Sequence, residues 1–418
     1  MLIGIDASRA NRDHKSGTEW YSYYLIKQLA AIDKDNQYIL YADQPLKDGL
    51  LDLDCREVGC SRRDFEFEDG YQKLISPHNN FRGKILGWPF RFFWTQGRLS
   101  LEMIAHRPDV LFVPAHALPL IHPKNSVVTI HDIGYKYDQA LYSQEKIGYQ
   151  SPAWDWLALA LTGGRHHATS LDYLDWSTGY TLKHAQKIIT ISDFSKQELI
   201  KHYQADKKKI SVVHNGYNDD LFHGGYDTKY ISSVLDAYGL EQPFIFYVGR
   251  LEKKKNIAAL VEAYALARQN HGLKHKLYLV GDASFGYDEI KYLINEFNVD
   301  GEVVTTGWVE ERHLPCIFAG ADAFIFPTKY EGFGIPLLQA MASGTPIAAS
   351  DTAAIPEIAG EAALLFNPDN VRDMSEKIAA IVQNEPLRNK LKEAGLERVK
   401  QFSWEKCARE TLKILESV

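Results

Sequence analysis

The feature that most constrains this chain is an alternation, run through twice, of short apolar strands with longer helical stretches. Strand-like runs fall at residues 2–6, 38–41, 110–114, 127–131, 188–192 and 210–214, then again at 244–249, 276–281, 303–307, 323–327, 346–349 and 363–366. Such alternation is the signature of parallel sheets flanked by helices. Between the two halves, residues 215–242 hold Gly216, Gly224 and Gly225 in a polar, turn-rich stretch. The expected organisation is an α/β domain over 1–215, a linker over 216–242, a second α/β domain over 243–402 and a C-terminal helix over 403–418. That last helix could pack on either half.

Composition narrows the function. The chain has 418 residues and a formal charge of -7, which argues against a nucleic-acid binder. The runs Lys207–Lys209 and Lys253–Lys255 read mainly as solvated faces. Cys55, Cys60, Cys316 and Cys407 make no Cys-x-x-Cys pair and fit reduced thiols. No apolar run is long enough to span a membrane, and the opening strand carries no leader pattern. A cytoplasmic protein is expected.

Ligands of open α/β sheets bind beyond the C-terminal ends of the strands. The most informative loop of that kind is Glu331-Gly-Phe-Gly-Ile-Pro336, between a strand and a helix. It places an acidic residue on a tight turn that delivers the first amides of a helix. Those unpaired N–H groups and the positive end of the helix dipole suit a phosphate, and the carboxylate suits hydroxyls. Gly334 lets the backbone come close, and Pro336 fits the first helical turn. An ordinary capping acid is the plainer reading. After residues 244–249 come Arg250 and Lys255, a planar fork and a mobile point charge for phosphate oxygens. After 303–307 come Trp308 and Val309; exposed backbone there could meet a nucleobase, while the indole itself is expected in the core. In the first half, His131 ends a strand and reads either as a satisfied structural residue or as a partner for a sugar hydroxyl. Gly17, at the start of an amphipathic helix, permits close phosphate approach.

Taken in order, these pieces resemble the retaining nucleotide-sugar glycosyltransferases of family four. The matching motifs are Ser-Gly17-Thr, Thr-Ile-His131-Asp132, Ile191-Ser-Asp-Phe-Ser195, His214-Asn-Gly216, Gly249-Arg250 with Lys255-Asn256, Gly307-Trp-Val309, Glu331-Gly-Phe-Gly-Ile-Pro and Ser343-Gly-Thr-Pro-Ile. The resemblance implies the GT-B fold, with two Rossmann-like, doubly wound parallel-sheet domains facing an interdomain cleft. It implies Arg250 and Lys255 on the donor diphosphate, Glu331 on the hydroxyls of the transferred sugar, and the amides of Phe333, Gly334 and Ile335 on sugar and phosphate. Val309 would meet the base through its backbone, His131 the sugar near the reacting centre, and Gly17 the phosphate from the other domain. No metal or cofactor is implied beyond the nucleotide-sugar co-substrate. Where the family carries a second glutamate, this chain has Gln339, which keeps a ribose contact without the charge, at a cost of about 1 kcal/mol.

The implied reaction moves a sugar, with mannose from GDP-mannose or a UDP-linked sugar as donors, to a glycan or lipid-linked hydroxyl in cell-surface polysaccharide or glycolipid synthesis. Two stretches exceed the resemblance. Residues 73–107 interleave Lys73, Arg82, Lys84, Arg91, Arg98 and Arg107 with Phe81, Trp88, Phe90, Phe92, Phe93 and Trp94. That mixture suits a peripheral contact at the inner membrane face, or equally a packed helix with a basic outer surface. Residues 151–181 read as an insertion near the acceptor. Rival readings are a nucleotide-sugar epimerase of the same shape and a non-catalytic nucleotide-sugar-binding subunit. A metal-dependent transferase would rely on Asp33-Lys-Asp35 or Asp52-Leu-Asp54, and a dehydrogenase lacks its glycine fingerprint.

Overall fold

The computed structural model describes residues 1–55, 66–75, 78–90, 93–142 and 169–418. The chain divides into two units. One contains Met1–Ile133, the described part of 144–215 and Trp404–Val418; the other contains the described part of 134–143 and Gly216–Ser403.

The first unit holds the strands β1 (Leu2–Asp6), β2 (Gln37–Ala42), β3 (Phe67–Glu68), β4 (Tyr71–Gln72), β5 (Phe81–Ile85), β6 (Val110–Val113), β7 (Ser126–Ile130), β8 (Lys187–Thr190) and β9 (Ile210–Val212). They lie in the order β3-β4-β5-β2-β1-β6-β7-β8-β9, parallel from β5 onward and antiparallel at the β3–β4–β5 edge. The runs Val-Leu-Phe-Val in β6 and Ser-Val-Val-Thr-Ile in β7 are buried throughout, as strands covered on both faces must be. Its principal helices are α1 (Gly17–Ile32), α2 (Ser170–His184) and α3 (Asp193–Tyr203). The C-terminal helix Trp404–Glu416 packs on α1, with Trp404 stacked on Tyr24 at 5.5 Å. It therefore belongs to the first unit, the choice the sequence left open.

In the second unit β10 (Phe244–Val248), β11 (Lys276–Val280), β12 (Val303–Gly307), β13 (Ala323–Phe326), β14 (Ile347–Ser350) and β15 (Ala363–Phe366) form one parallel sheet in the order β12-β11-β10-β13-β14-β15. Counted from β10, this is the doubly wound order in which the chain first winds one way and then reverses. The reversal lies between β10 and β13. Phe244, Phe246, Phe318 and Phe324 fill the core beside it with edge-to-face and tilted rings. The helices used below are α4 (Thr228–Ala237), α5 (Ile257–His271), α6 (Leu314–Gly320) and α7 (Ile335–Ala342).

Three expectations change. The stretch 216–242 carries α4, capped by Asp227 and packed through Leu235 against Gly320 of α6, so it joins the second unit. Residues 73–107 contribute β5, whose Phe81 and Gly83 point inward while Arg82 faces solvent. Lys84 and Arg98 are both paired with the buried carboxylate of Glu102, which removes them from any outer basic face; Arg91 and Phe92 lie outside the described residues. Cys55 is disulfide-bonded, against the expectation of a reduced thiol, whereas Cys316 and Cys407 are free and buried. Sequence motifs reveal only regular pairs, while a disulfide needs no more than suitably placed Cβ atoms; Cys60 lies outside the described residues. So do residues 151–168 of the expected insertion.

Candidate active site

Glycine backbone locks the strand ends of the second unit together. The Gly249 amide donates to Val280 O at 2.9 Å, and the Gly281 amide to Gly307 O at 2.9 Å. Gly281 has φ +140°, and a Cβ there would lie 2.1 Å from Gly249 O, so no other residue fits. This interlock aligns the loops that leave β10, β11 and β12.

The loop after β10 then turns through Lys253–Lys255 into Asn256, whose left-handed backbone starts α5 and whose Nδ2 donates to Pro368 O at 2.8 Å. The loop after β13 is stitched to it. Lys329 N and Thr328 Oγ1 both donate to Lys254 O, at 3.0 and 3.3 Å. The stitching sets Lys255 Nζ against Glu331 Oε1 in an ion pair, with each side chain only 16% exposed. Below them Tyr247 is fully buried, and its hydroxyl donates to Arg250 O at 3.2 Å. Burial first, and then the charges of Glu331 and Glu252, keep that phenol protonated. Arg250 is exposed, with Nη2 making a long 3.4 Å bond to Ser284 Oγ.

Gly334, at φ +94°, turns the chain into α7, and Ile335 and Pro336 form its first turn. The Phe333 side chain is buried against Phe402 at 5.9 Å, so only its backbone faces outward chemistry. Gln339 lies one turn further along, half-buried. Val309 is buried, but Trp308 is 62% exposed immediately after β12. The indole expected in the core thus stands on the same strand-end edge as Arg250 and Glu331. Its exposure was not legible from a sequence in which aromatic residues usually mark packing.

In the first unit His131 follows β7 and is buried. Its Nε2 donates to Pro114 O at 2.9 Å, and its carbonyl accepts from Ser195 Oγ of α3 at 3.0 Å. Its ring meets Tyr21 edge-on at 4.7 Å and lies 5.6 Å from His116. Burial lowers its affinity for a proton, and it pushes His116 down to about 4, helped by the neighbouring His131. Gly17 opens α1 with nothing within 4 Å of a notional Cβ. However, Glu19 already accepts from the Ser16 amide at 3.2 Å and pairs with Arg9 at 3.5 Å, so this helix start carries its own anion. Both Asp-x-Asp pairs are drawn into local structure: Asp33 accepts from Asn36 and Tyr38, and Asp54 meets His78 Nε2 at 2.7 Å. Arg250, Lys255, Val309, Glu331, Phe333, Gly334, Ile335 and Gln339 therefore share the strand-end edge of the second sheet. His131 and Gly17 belong to the first.

Comparison with known proteins gives the family and the fold. The sequence model described as "Glycosyl transferases group 1" matches residues 237–398, and that described as "Glycosyltransferase Family 4" matches 16–221. The chain belongs to this glycosyltransferase family, with the GT-B fold. It is 28% identical over 321 residues to O-antigen chain mannosyltransferase B of Escherichia coli, covering 76% of this chain and 82% of that protein. In fold it resembles a sucrose-phosphate synthase from Thermosynechococcus elongatus (TM-score 0.71, 20% identity, 100% and 98% of the two chains). It also resembles WaaG, a glycosyltransferase involved in lipopolysaccharide biosynthesis (TM-score 0.69, 14% identity, 99% of each chain).

The buried histidines give a pH prediction. A His116 that titrates near 4 when folded and near 6.5 when unfolded takes up its proton only in the unfolded chain between those values. Its contribution is fully present above about pH 6.5 and is lost as pH falls toward 4. With a discount for the part of the ring that faces solvent, the loss is on the order of 2 kcal/mol. Denaturant titrations at pH 7 and 4.5 should show a drop that His116→Gln reduces; an identical drop in the variant would contradict the assignment.

Proposed function

We propose that this glycosyltransferase is a retaining, metal-independent hexosyltransferase. It moves a mannosyl residue from GDP-mannose to a hydroxyl of a glycan or lipid-linked acceptor in cell-surface polysaccharide synthesis. The observation that carries the reading is the Lys255–Glu331 pair, held at the strand-order reversal beside Arg250 and the start of α7. The mannose assignment is supported by the relatives, which include serotype-specific mannosyltransferases of Escherichia coli. A UDP-linked sugar is the second donor class, because a fold neighbour, HepE of Anabaena, is seen with UDP and glucose.

In this mechanism the bond between the anomeric carbon and the β-phosphate oxygen breaks, and its electron pair stays on the diphosphate. Arg250, Lys255 and the amides of Gly334 and Ile335 meet that growing negative charge. Lys255, already oriented by Glu331, costs little reorganisation at that moment. Glu331 accepts from hydroxyls of the transferred sugar. The acceptor oxygen forms the new bond on the same face, and its proton passes to the leaving phosphate, so no carboxylate nucleophile is required. Trp308 offers an exposed ring on which the base can stack, next to the Val309 backbone.

Arg250→Ala and Lys255→Ala should each raise the barrier by about 2 to 4 kcal/mol, a hundred- to thousandfold loss in kcat; the melting temperature should be preserved in Arg250→Ala and lowered in Lys255→Ala, which leaves the enclosed Glu331 carboxylate without its cation. Radiolabel transfer from GDP-mannose measures this; near-normal turnover in both variants would remove the diphosphate assignment. A new nucleotide sugar formed from donor alone would instead make the chain an epimerase.

The same reading places the enzyme in the cytoplasm and at an acidic membrane surface. No described helix is long and apolar enough to cross a membrane. Leu101, Ile104, Leu120 and Ile121 are nevertheless exposed around the Ser100–Ile121 contact, with Arg107, Lys124 and Lys183 exposed in the same unit. Apolar tips with cations suit an anionic bilayer interface. Flotation with phosphatidylglycerol vesicles should capture the protein, and Leu101→Glu with Ile104→Glu should release it; capture that persists in the double variant would refute this surface.

A further inference from the structure

The first sheet has its own strand-order reversal, between β1 and β6, and the polar groups gathered there are not used by the mechanism above. Asp6, the last residue of β1, is 4% exposed. Its Oδ1 accepts from both the amide and the hydroxyl of Ser8, at 3.0 and 2.6 Å. Its Oδ2 has only Thr95 Oγ1 at 3.5 Å, the outer limit of a hydrogen bond, and so keeps an acceptor lobe to spare. Next to Thr95, Gln96 is 7% exposed, and its Oε1 accepts from Tyr173 Oη of α2 at 2.8 Å. Its Nε2 is enclosed and has no hydrogen-bond partner, and neither has Nδ1 of His116, just beyond β6. Arg9 links the group electrostatically, since its charge is felt by Asp6, His116 and Tyr173 alike. The Phe93 ring, 5.8 Å from that of Tyr173, adds an aromatic wall.

Buried polar atoms are nearly always satisfied, so two orphans beside a half-used carboxylate point to a missing ligand. The set offers one anionic acceptor, one carboxamide donor and one neutral imidazole nitrogen. Adjacent sugar hydroxyls, each a donor and an acceptor, match it. A phosphate does not: Asp6 would repel it, and the nearby cation Arg9 is already paired with Glu19. We infer that Asp6, Gln96 and His116 form a subsite for the terminal neutral sugar of the acceptor, so that the chain extends a glycan end rather than a phosphorylated polyol or lipid phosphate. The word acceptor here depends on the glycosyltransferase reading; sugar binding at this place does not.

Saturation-transfer NMR on the full chain, with methyl α-mannoside and separately with inositol 1-phosphate, tests the inference. The wild type should bind the mannoside and favour it over the phosphate. Asp6→Asn and Gln96→Leu should each weaken mannoside binding about tenfold or more, the effect of losing one buried or charge-assisted hydrogen bond. Tyr173→Phe, which only frees the Gln96 carboxamide, should weaken it by a smaller factor and supplies the readout if the buried variants fold poorly. Retained mannoside binding in Glu331→Gln separates this site from the donor site. The inference is overturned if the wild type gives no mannoside signal, if the signal survives in all three first-unit variants, if it vanishes in Glu331→Gln, or if inositol 1-phosphate binds more tightly. A chain that shows this mannoside pattern yet binds no nucleotide sugar would sink the donor reading and leave the subsite standing.

Discussion

The ion pair between Lys255 and Glu331 is the interaction on which the rest depends. It joins loops from two strands that are neighbours in the sheet but far apart in the chain, at the place where the winding reverses. A largely enclosed charge pair is a poor way to gain stability, because desolvation offsets most of the attraction. Its value in the proposed reaction is orientation: each partner holds the other in place for the diphosphate and sugar hydroxyl that the proposal assigns to them. Gly281 makes the geometry possible, since its backbone passes closer to Gly249 O than a side chain would allow, and Gly249 and Gly307 adopt the positive φ that the interlock needs.

The two sheets share a plan yet differ in the chemistry at their reversals. In the second unit, cations and helix-start amides dominate, which suits an anionic leaving group. In the first, Asp6, Gln96 and His116 are neutral or acidic acceptors and donors, and Glu19 already occupies the start of α1. The phosphate contact expected of Gly17 would have to compete with that carboxylate.

Much of the fold was legible in the sequence. Every expected strand is present within two residues of its expected ends, because continuous apolar runs such as Phe244–Val248 are what a doubly covered sheet requires. β5 was missed because Arg82 and Lys84 interrupt its pattern and Gly83 serves as an inward residue. Helix α4 was hidden by the flanking Gly224 and Gly225. That Arg250, Lys255 and Glu331 would share one strand-end edge was readable because strand ends and glycine turns mark them. Trp308 was not, since exposure depends on which neighbours a strand end happens to have. Gln96 and His116 were equally invisible: what marks them is an orphaned atom on each, which exists only in three dimensions.

The central claim is that a nucleoside diphosphate is held by the strand-end edge of the second sheet, and a crystal structure of the chain with GDP tests it most directly. The account predicts the β-phosphate within hydrogen-bond reach of Arg250, Lys255 and the amides of Gly334 and Ile335, with the base near Trp308 and Val309. Nucleotide bound elsewhere, with Lys255 still paired only to Glu331, would contradict it.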